Sequence, residues 1–324
     1  MNPPSFLYRY RSFDVHAARE TEALLGSYLF ASTFASMNDP MEAFIETGGP
    51  EDRILKHFAP GVALDTLYGA IVPMVAKFGL ISFSETFEDL PLWAYYAGNF
   101  SGLCLEFDTA RLAMSPLRSE RLFKVEYETT ALPPISLSAI MANNADDVLT
   151  ARLVRKRREW AHEKEWRYVT GRSGEKPVLD DALKRIFLGP RMPPAKVNQI
   201  CTAMARRPVE ILMGEGNGFD LRFRTLQERP PFNLCERVGS GRFDVVDNLY
   251  AAEDLRAFLD VPCERLVDEC RRLAEHPNME RFHEIDLAGP TRDVLFVWTE
   301  YALRDGTTIP VQRYYDQGMQ LLER

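Results

Sequence analysis

Glu163 and Glu165 stand two residues apart in Trp160-Ala-His-Glu-Lys-Glu-Trp-Arg-Tyr-Val169, where a charged segment gives way to an aromatic one. Side chains of an extended chain repeat their direction every second residue, so a strand entered here aims both carboxylates to one side. Like charges held that close resist joint ionisation unless a cation or a substrate shares them. The segment is a candidate edge of an active site, against the plainer alternative of a solvated surface pair. Two distant groups could converge on it. Arg9 and Arg11 alternate with Tyr8 and Tyr10 near the start of the chain, and Ser82 and Ser84 flank Phe83. A guanidinium grips phosphate through a planar fork that lysine cannot reproduce.

The elements that must carry these groups show as alternating and helical patterns. Phe6 to Ser12 reads as a strand with its tyrosines on one face and its arginines on the other. Gly79 to Ser84 reads as a strand with Ser82 and Ser84 opposite Ile81 and Phe83. A short helix is expected from Ala17 to Leu25, a strand over 27–30, and a turn through Asn38, Asp39 and Pro40. Residues 62–77 and 146–161 carry helical periodicity, and Arg155-Lys-Arg-Arg158 in the second is either a solvated helix face or, lying just before the Glu-x-Glu, an acceptor or phosphate site. Leu92 to Tyr96, with Trp93, reads as a short aromatic helix. Further strands are expected over 102–107, 123–127, 166–170, 186–188, 209–212 and 221–224. Beyond Pro230-Pro231 helices are predicted over 252–259, 262–275, 292–303 and 310–322. The expected architecture is α+β, with a body over residues 1–228 and a mainly helical accessory region over 237–324. In that region Leu295-Phe-Val-Trp298 and Tyr301 form an apolar stripe that would dock on the body or on another subunit.

The bulk properties narrow the class. The chain has 324 residues, of which 46% are hydrophobic and 27% charged, the balance of a soluble globular protein. No apolar run reaches the ~18 residues of a membrane span, and Met1-Asn-Pro-Pro-Ser5 lacks signal-peptide features, so a cytoplasmic location is expected. The five cysteines are scattered without a C-x-x-C, which argues against disulfides and structural zinc. A net charge of −8 opposes nucleic acid except at a local basic patch. Gly214-Glu-Gly-Asn-Gly218 lacks the spacing of a dinucleotide fingerprint and reads as a turn. His162-Glu163 lacks the second histidine of a zinc motif, and no serine sits in a G-x-S-x-G elbow. No metal is expected.

Leu7-Tyr-Arg-Tyr-Arg11, Asn38-Asp-Pro-Met-Glu42, Ile81-Ser-Phe-Ser84, Trp93-Ala-Tyr-Tyr96 with Gly102, and Trp160-x-x-Glu163-x-Glu165-x-Arg167 follow one another along the chain. In that order and spacing, over roughly residues 6–190, the chain resembles the bacterial domain of unknown function family 2971. The trio of arginine, Ser-x-Ser and Glu-x-Glu also resembles the arginine–serine–glutamate group of ADP-ribosyltransferases. This second resemblance implies two small packed sheets around a dinucleotide cleft, with NAD as substrate and no metal. ADP-ribose would pass to a macromolecular acceptor, protein or nucleic acid. Arg9 or Arg11 would grip the pyrophosphate, Ser82 and Ser84 would support it, and Glu165 would lie beside the nicotinamide ribose. Glu163 would orient or deprotonate the acceptor. Asn38, Trp93 and Tyr96 complete the implied cofactor-binding set, with Trp93, Tyr95 or Tyr96 stacking on nicotinamide. A core role for Trp93, Trp160 and Trp166 competes with stacking, because large aromatics dominate packing. Two rival functions remain open: an NAD glycohydrolase of the toxin or phage-defence kind, and a non-enzymatic binding or regulatory module. The module would assemble as a homo-oligomer, or with a partner protein, through the C-terminal helices.

Overall fold

A computed structural model describes residues 2–14, 17–39, 41, 46–48, 75–136, 139–140, 145–244, 252–289 and 291–322, with isolated positions between 52 and 73. The helix expected over 62–77 falls largely outside the described residues, as do Pro40 and Glu42. The architecture is mixed α+β. The chain opens with β1 (Phe6–Arg11), α1 (Ala17–Gly26), β2 (Tyr28–Thr33) and β3 (Gly79–Ser84). Next come α2 (Leu90–Tyr95), β4 (Leu103–Asp108), α3 (Thr109–Ala113), β5 (Arg121–Lys124) and β6 (Glu126–Glu128). α4 (Ala145–Leu153), β7 (Arg155–Arg157), a 3-10 turn (Arg158–Glu163) and β8 (Glu165–Thr170) follow. The body ends with β9 (Gly174–Pro177), β10 (Leu183–Leu188), α5 (Pro194–Met204), β11 (Glu210–Asn217) and β12 (Asp220–Gln227).

Ten strands form one network in the order β12-β11-β10-β4-β1-β3-β2-β9, with β8 and β5 branching from β3. The branch decides where the site lies. One edge of β3 pairs with β8 along its whole length, from Gly79 opposite Thr170 to Ser84 opposite Glu165. The other edge is divided: β1 takes its far end, Tyr8 opposite Ser84, and β2 takes its near end, Ser32 opposite Leu80 and Thr33 opposite Gly79. Ser82 sits in the gap between them. A single network that forks at β3 therefore stands where two separate small sheets were expected. Glycine permits the tight joins around this fork. A Cβ on Gly79 would come within 2.5 Å of Thr170 Oγ1, and one on Gly102 within 2.3 Å of the Arg11 carbonyl.

Alternation within each strand sorts side chains to two faces. Leu7, Ile81, Phe83, Leu105, Trp166 and Ile186 enter one core, closed by Leu24 of α1 and Ile200 of α5. Tyr10, Cys104 and Phe187 enter a second core with Leu92, Trp93 and Ala97. Full burial of each large apolar side chain is worth about 1.5–3 kcal/mol, which fixes the strands that carry the polar groups between them. The 210–227 segment forms a hairpin that turns at Gly218 (φ +66°), so Gly214 and Gly216 lie in β11 rather than in a turn.

The C-terminal region departs from expectation. α6 (Ala252–Phe258) and α7 (Glu264–Ala274) occur where helices were predicted, but a four-stranded antiparallel sheet follows. It consists of β13 (Met279–Ala288), β14 (Val294–Ala302), β15 (Thr308–Tyr315) and β16 (Leu321–Leu322). The helices predicted over 292–303 and 310–322 are therefore strands. Leu295, Val297, Thr299 and Tyr301 point inward with period two, while Phe296 and Trp298 face the other way half-buried. β-branched and aromatic residues fit such a pleated surface. Of the supposed helical stripe only Leu295, Val297 and Tyr301 lie on the inner face of this sheet, packed on Leu255, Leu266, Cys270 and Leu273.

Ion pairs tie this region to the body. The Asp180 carboxylate accepts from Arg304 Nη2 at 2.8 Å and from Ser27 Oγ at 2.8 Å, and lies 3.1 Å from Arg207 Nη2. Asp181 faces Arg111 Nε and His276 Nε2, each at 3.1 Å, with Lys184 Nζ at 3.7 Å. Among the described residues no helix is long and apolar enough to cross a membrane.

Candidate functional site

The fork encloses a cavity of about 170 Å³. β1 lines it with Tyr8, Arg9, Tyr10 and Arg11, β3 with Ser82 and Ser84, and the segment after β2 with Asn38. Tyr96, Lys156, Glu163 and Glu165 close the opposite wall. The arginines, the serines and the carboxylates, far apart in sequence, thus share one cavity.

The two arginines differ. Arg11 donates to Glu20 of α1, so its charge is matched. Arg9 is 9% exposed and reaches across the fork to β2, where its Nη2 donates to the Phe30 carbonyl at 3.1 Å. Among the described residues its Nη1 has no hydrogen-bond partner, and no carboxylate pairs with it. Burial and the adjacent Arg11 guanidinium push the Arg9 pKa down to about 9. A buried guanidinium with an open donor beside a cavity is a ready anion subsite.

The carboxylates are held by different means. The chain is not extended through both of them, as the sequence pattern suggested. Glu163 ends the 3-10 turn, Lys164 adopts a left-handed conformation (φ +45°), and β8 starts at Glu165. They nevertheless meet on one cation: Lys156 Nζ lies 2.5 Å from Glu163 Oε2 and 3.3 Å from Glu165 Oε2. Arg167 adds a fork to Glu165, with Nε donating to Oε1 at 2.6 Å and Nη2 to Oε2 at 2.8 Å. The Ser82 hydroxyl also faces the Glu165 carboxylate. Burial pushes the Glu165 pKa up, but Arg167, Lys156 and Ser82 outweigh it and hold the carboxyl well below its ordinary value. At Glu163 burial wins with help from the Glu165 charge, and its pKa is raised despite Lys156 and Tyr96. The two acids are thus pushed apart, one kept ionised and the other readier to hold a proton.

Neighbouring elements fix these positions. Asp89 caps α2 by accepting from the Leu92 amide at 2.9 Å, and the residue after that helix, Tyr96, donates to Glu163 Oε1 at 2.8 Å. β6 pairs in parallel with β7, setting Tyr127 opposite Lys156. The Tyr127 hydroxyl accepts from the Glu165 amide at 2.8 Å. Ser84 donates to the Glu163 carbonyl at 2.8 Å and so braces the backbone.

Trp93 does not reach the cavity. It is fully buried, donates to the Phe87 carbonyl at 2.7 Å and packs edge-on against Tyr10, so it is a core anchor and not a stacking platform. Asp39 of the expected turn accepts from Trp160 Nε1 at 2.9 Å. The Arg155–Arg158 run is not a solvated helix face. α4 ends at Leu153, and Lys156 is buried within the short strand β7. Lys156 enters the sequence reading only within the basic run, Arg167 only within the family motif, and Tyr127 only within an expected strand. The first lay inside a basic run that invited a surface interpretation, and the second follows the Glu-x-Glu by two residues. Among the described residues no cluster of His, Cys, Asp and Glu is arranged to hold a metal.

The family described as "Protein of unknown function (DUF2971)" matches residues 92–168. That segment runs from α2 through most of β8 and includes Tyr96, Lys156, Glu163, Glu165 and Arg167, which supports the family resemblance there. No curated protein and no solved structure matches the chain.

Proposed function

We propose that the cavity binds NAD and that the protein transfers ADP-ribose from it to a macromolecular acceptor, in the manner of an ADP-ribosyltransferase. The observation that carries this reading is the convergence of buried, anion-seeking Arg9 with Ser82, Glu165 and Glu163 on one cavity. Arg9 would take the pyrophosphate through its open Nη1. The enclosed volume, about 170 Å³, falls below the roughly 300–1,000 Å³ of typical ligand pockets. The reacting end of the dinucleotide would lie inside, with the adenosine end along the open mouth.

In the reaction the bond between ribose C1 and the nicotinamide nitrogen breaks, and its electron pair leaves with neutral nicotinamide. Positive charge then builds on the ribose, as in glycoside cleavage. Glu165, held ionised, would stabilise that charge. An acceptor lone pair forms the new bond to C1, and its proton passes to Glu163. With water as acceptor the same steps give NAD hydrolysis.

One observation favours a second reading. A carboxylate offers about four acceptor sites, and Glu165 already faces two Arg167 donors, Lys156 and Ser82. A ribose hydroxyl must displace one of them, Ser82 being the uncharged one. A site that never makes this exchange would bind its nucleotide without cleaving it, as a sensing module. Labelled NAD separates the cases. Nicotinamide release should fall about 100- to 1,000-fold in Glu165→Gln, with retained cooperative unfolding as the control for folding. A folded variant with full activity refutes the catalytic assignment. A wild-type melting temperature that NAD does not move refutes the nucleotide site.

A further inference from the structure

Lysine is rarely buried without a paired charge, yet the Lys156 side chain is only 3% exposed. Its place is set by the β6–β7 ladder and by the Trp160 ring, 5.1 Å from Nζ. From there one ammonium touches both carboxylates of the cavity wall. Among the described residues the other groups facing the pair are Arg167 and Ser82 at Glu165, Tyr96 on Glu163, and Tyr127 beside the Glu165 amide.

We propose that Lys156 is a positioning residue that lies between Glu163 and Glu165, keeps both ionised and aims both at the cavity. Its catalytic meaning rests on the dinucleotide reading above: Glu165 keeps its charge for the ribose, and Glu163 is free to accept the acceptor's proton. The charge sharing itself stands apart from that reading. Without Lys156 two buried carboxylates must share fewer cations, and one of them takes up a proton. Glu163 is the one that yields, because burial already raises its pKa while Arg167 holds Glu165 ionised.

The test uses the full chain with 13C-labelled glutamate, titrated without NAD, with the Glu163 resonance identified by its loss in Glu163→Gln. In Lys156→Met the Glu163 midpoint should move up by about one pH unit or more, and Lys156→Arg should bring it back towards wild type. A folded Lys156→Met protein with an unmoved midpoint overturns the proposal. Should that variant not fold, Lys156→Met combined with Glu163→Gln removes one charge of each sign and should regain structure; no gain overturns the proposal equally. In turnover, the acid limb of kcat/KM for nicotinamide release should move up in Lys156→Met, a shift that a merely structural role would not produce. Wild-type protein inert towards NAD would sink the dinucleotide reading while leaving the titration to decide the charge sharing.

Discussion

Two buried clusters of charge can be compared directly. In the seam beneath the C-terminal sheet, Asp180 and Asp181 are surrounded by Arg207, Arg304, Arg111, Lys184 and His276, and their carboxylates are buried. In the fork, Glu163 and Glu165 are matched by Lys156 and Arg167, but Arg9 stands nearby with an open donor and a cavity before it. Both clusters incur the desolvation cost of buried ions. The seam recovers it by pairing inside the protein, which is architecture. The fork leaves one positive charge unmatched, which invites an anionic ligand.

The largest effect should come from the seam. Asp180→Ala strands Arg207 and leaves Arg304 only the more exposed Glu236, and removing one partner of a buried pair costs about 3–5 kcal/mol. Denaturant melts should show that loss, while NAD affinity of the folded fraction stays at the wild-type value. A variant of wild-type stability would mean that the seam does not hold the two parts together.

Arg9→Met should do the reverse. A hydrogen bond to a charged group is worth about 1.5–3 kcal/mol, so affinity for NAD should fall roughly 10- to 100-fold by calorimetry. Stability should hold or rise, because an under-paired buried cation has gone. Arg11→Met, which breaks the pair with Glu20, should weaken folding more than binding. Equal losses of affinity in both variants would erase the distinction between the two arginines.

The clusters should also respond to pH with opposite sign. Burial alone would raise the Asp181 pKa, but His276, Arg111 and Lys184 hold it far below the ordinary value. The folded protein therefore binds that proton more weakly than the unfolded chain. The stabilisation is complete above the ordinary aspartate pKa of ~4 and drains away as pH falls towards the folded value. Glu163, with its pKa raised, binds its proton more tightly when folded. Its contribution is present below the ordinary glutamate range and lost as pH rises through the folded value. Melting temperatures between about pH 3 and 7 should thus lose part of their acid-side rise in Asp181→Asn. In Glu163→Gln an opposing slope should vanish, and slopes of the same sign in the two regions would contradict these assignments.

How much of this was legible beforehand follows from what is local. β1 and β3 alternate cleanly, so Arg9 and Ser82 could be assigned to faces without any knowledge of their partners. Lys156 could not, because a three-residue strand has no periodicity to read. Its pairing with β6 is set by a register between segments that the intervening sequence does not encode locally. β14 and β15 failed for another reason. Short apolar runs rich in aromatics suit helix and strand alike, and the decisive signal was Asp305-Gly306, a hairpin turn dipeptide whose glycine has φ +84°. The fork is likewise invisible in the sequence, since a divided strand edge is a property of three strands together.

The smallest expected effect separates two serines that the sequence treated as equals. Ser84 is 4% exposed, and its hydroxyl links the Glu163 carbonyl to the Thr86 amide. Ser84→Ala should therefore cost about 1 kcal/mol of stability, the ordinary net value of a buried neutral hydrogen bond, with NAD affinity unchanged. Ser82 faces the Glu165 carboxylate at the point where the sheet divides. Ser82→Ala should barely move the melting temperature, because Arg167 and Lys156 still satisfy Glu165. It should instead alter nicotinamide release, since its hydroxyl is the donor that a ribose would replace. If Ser84→Ala changes turnover and Ser82→Ala changes only stability, the reacting centre lies at the Ser84 end of β3 rather than in the fork.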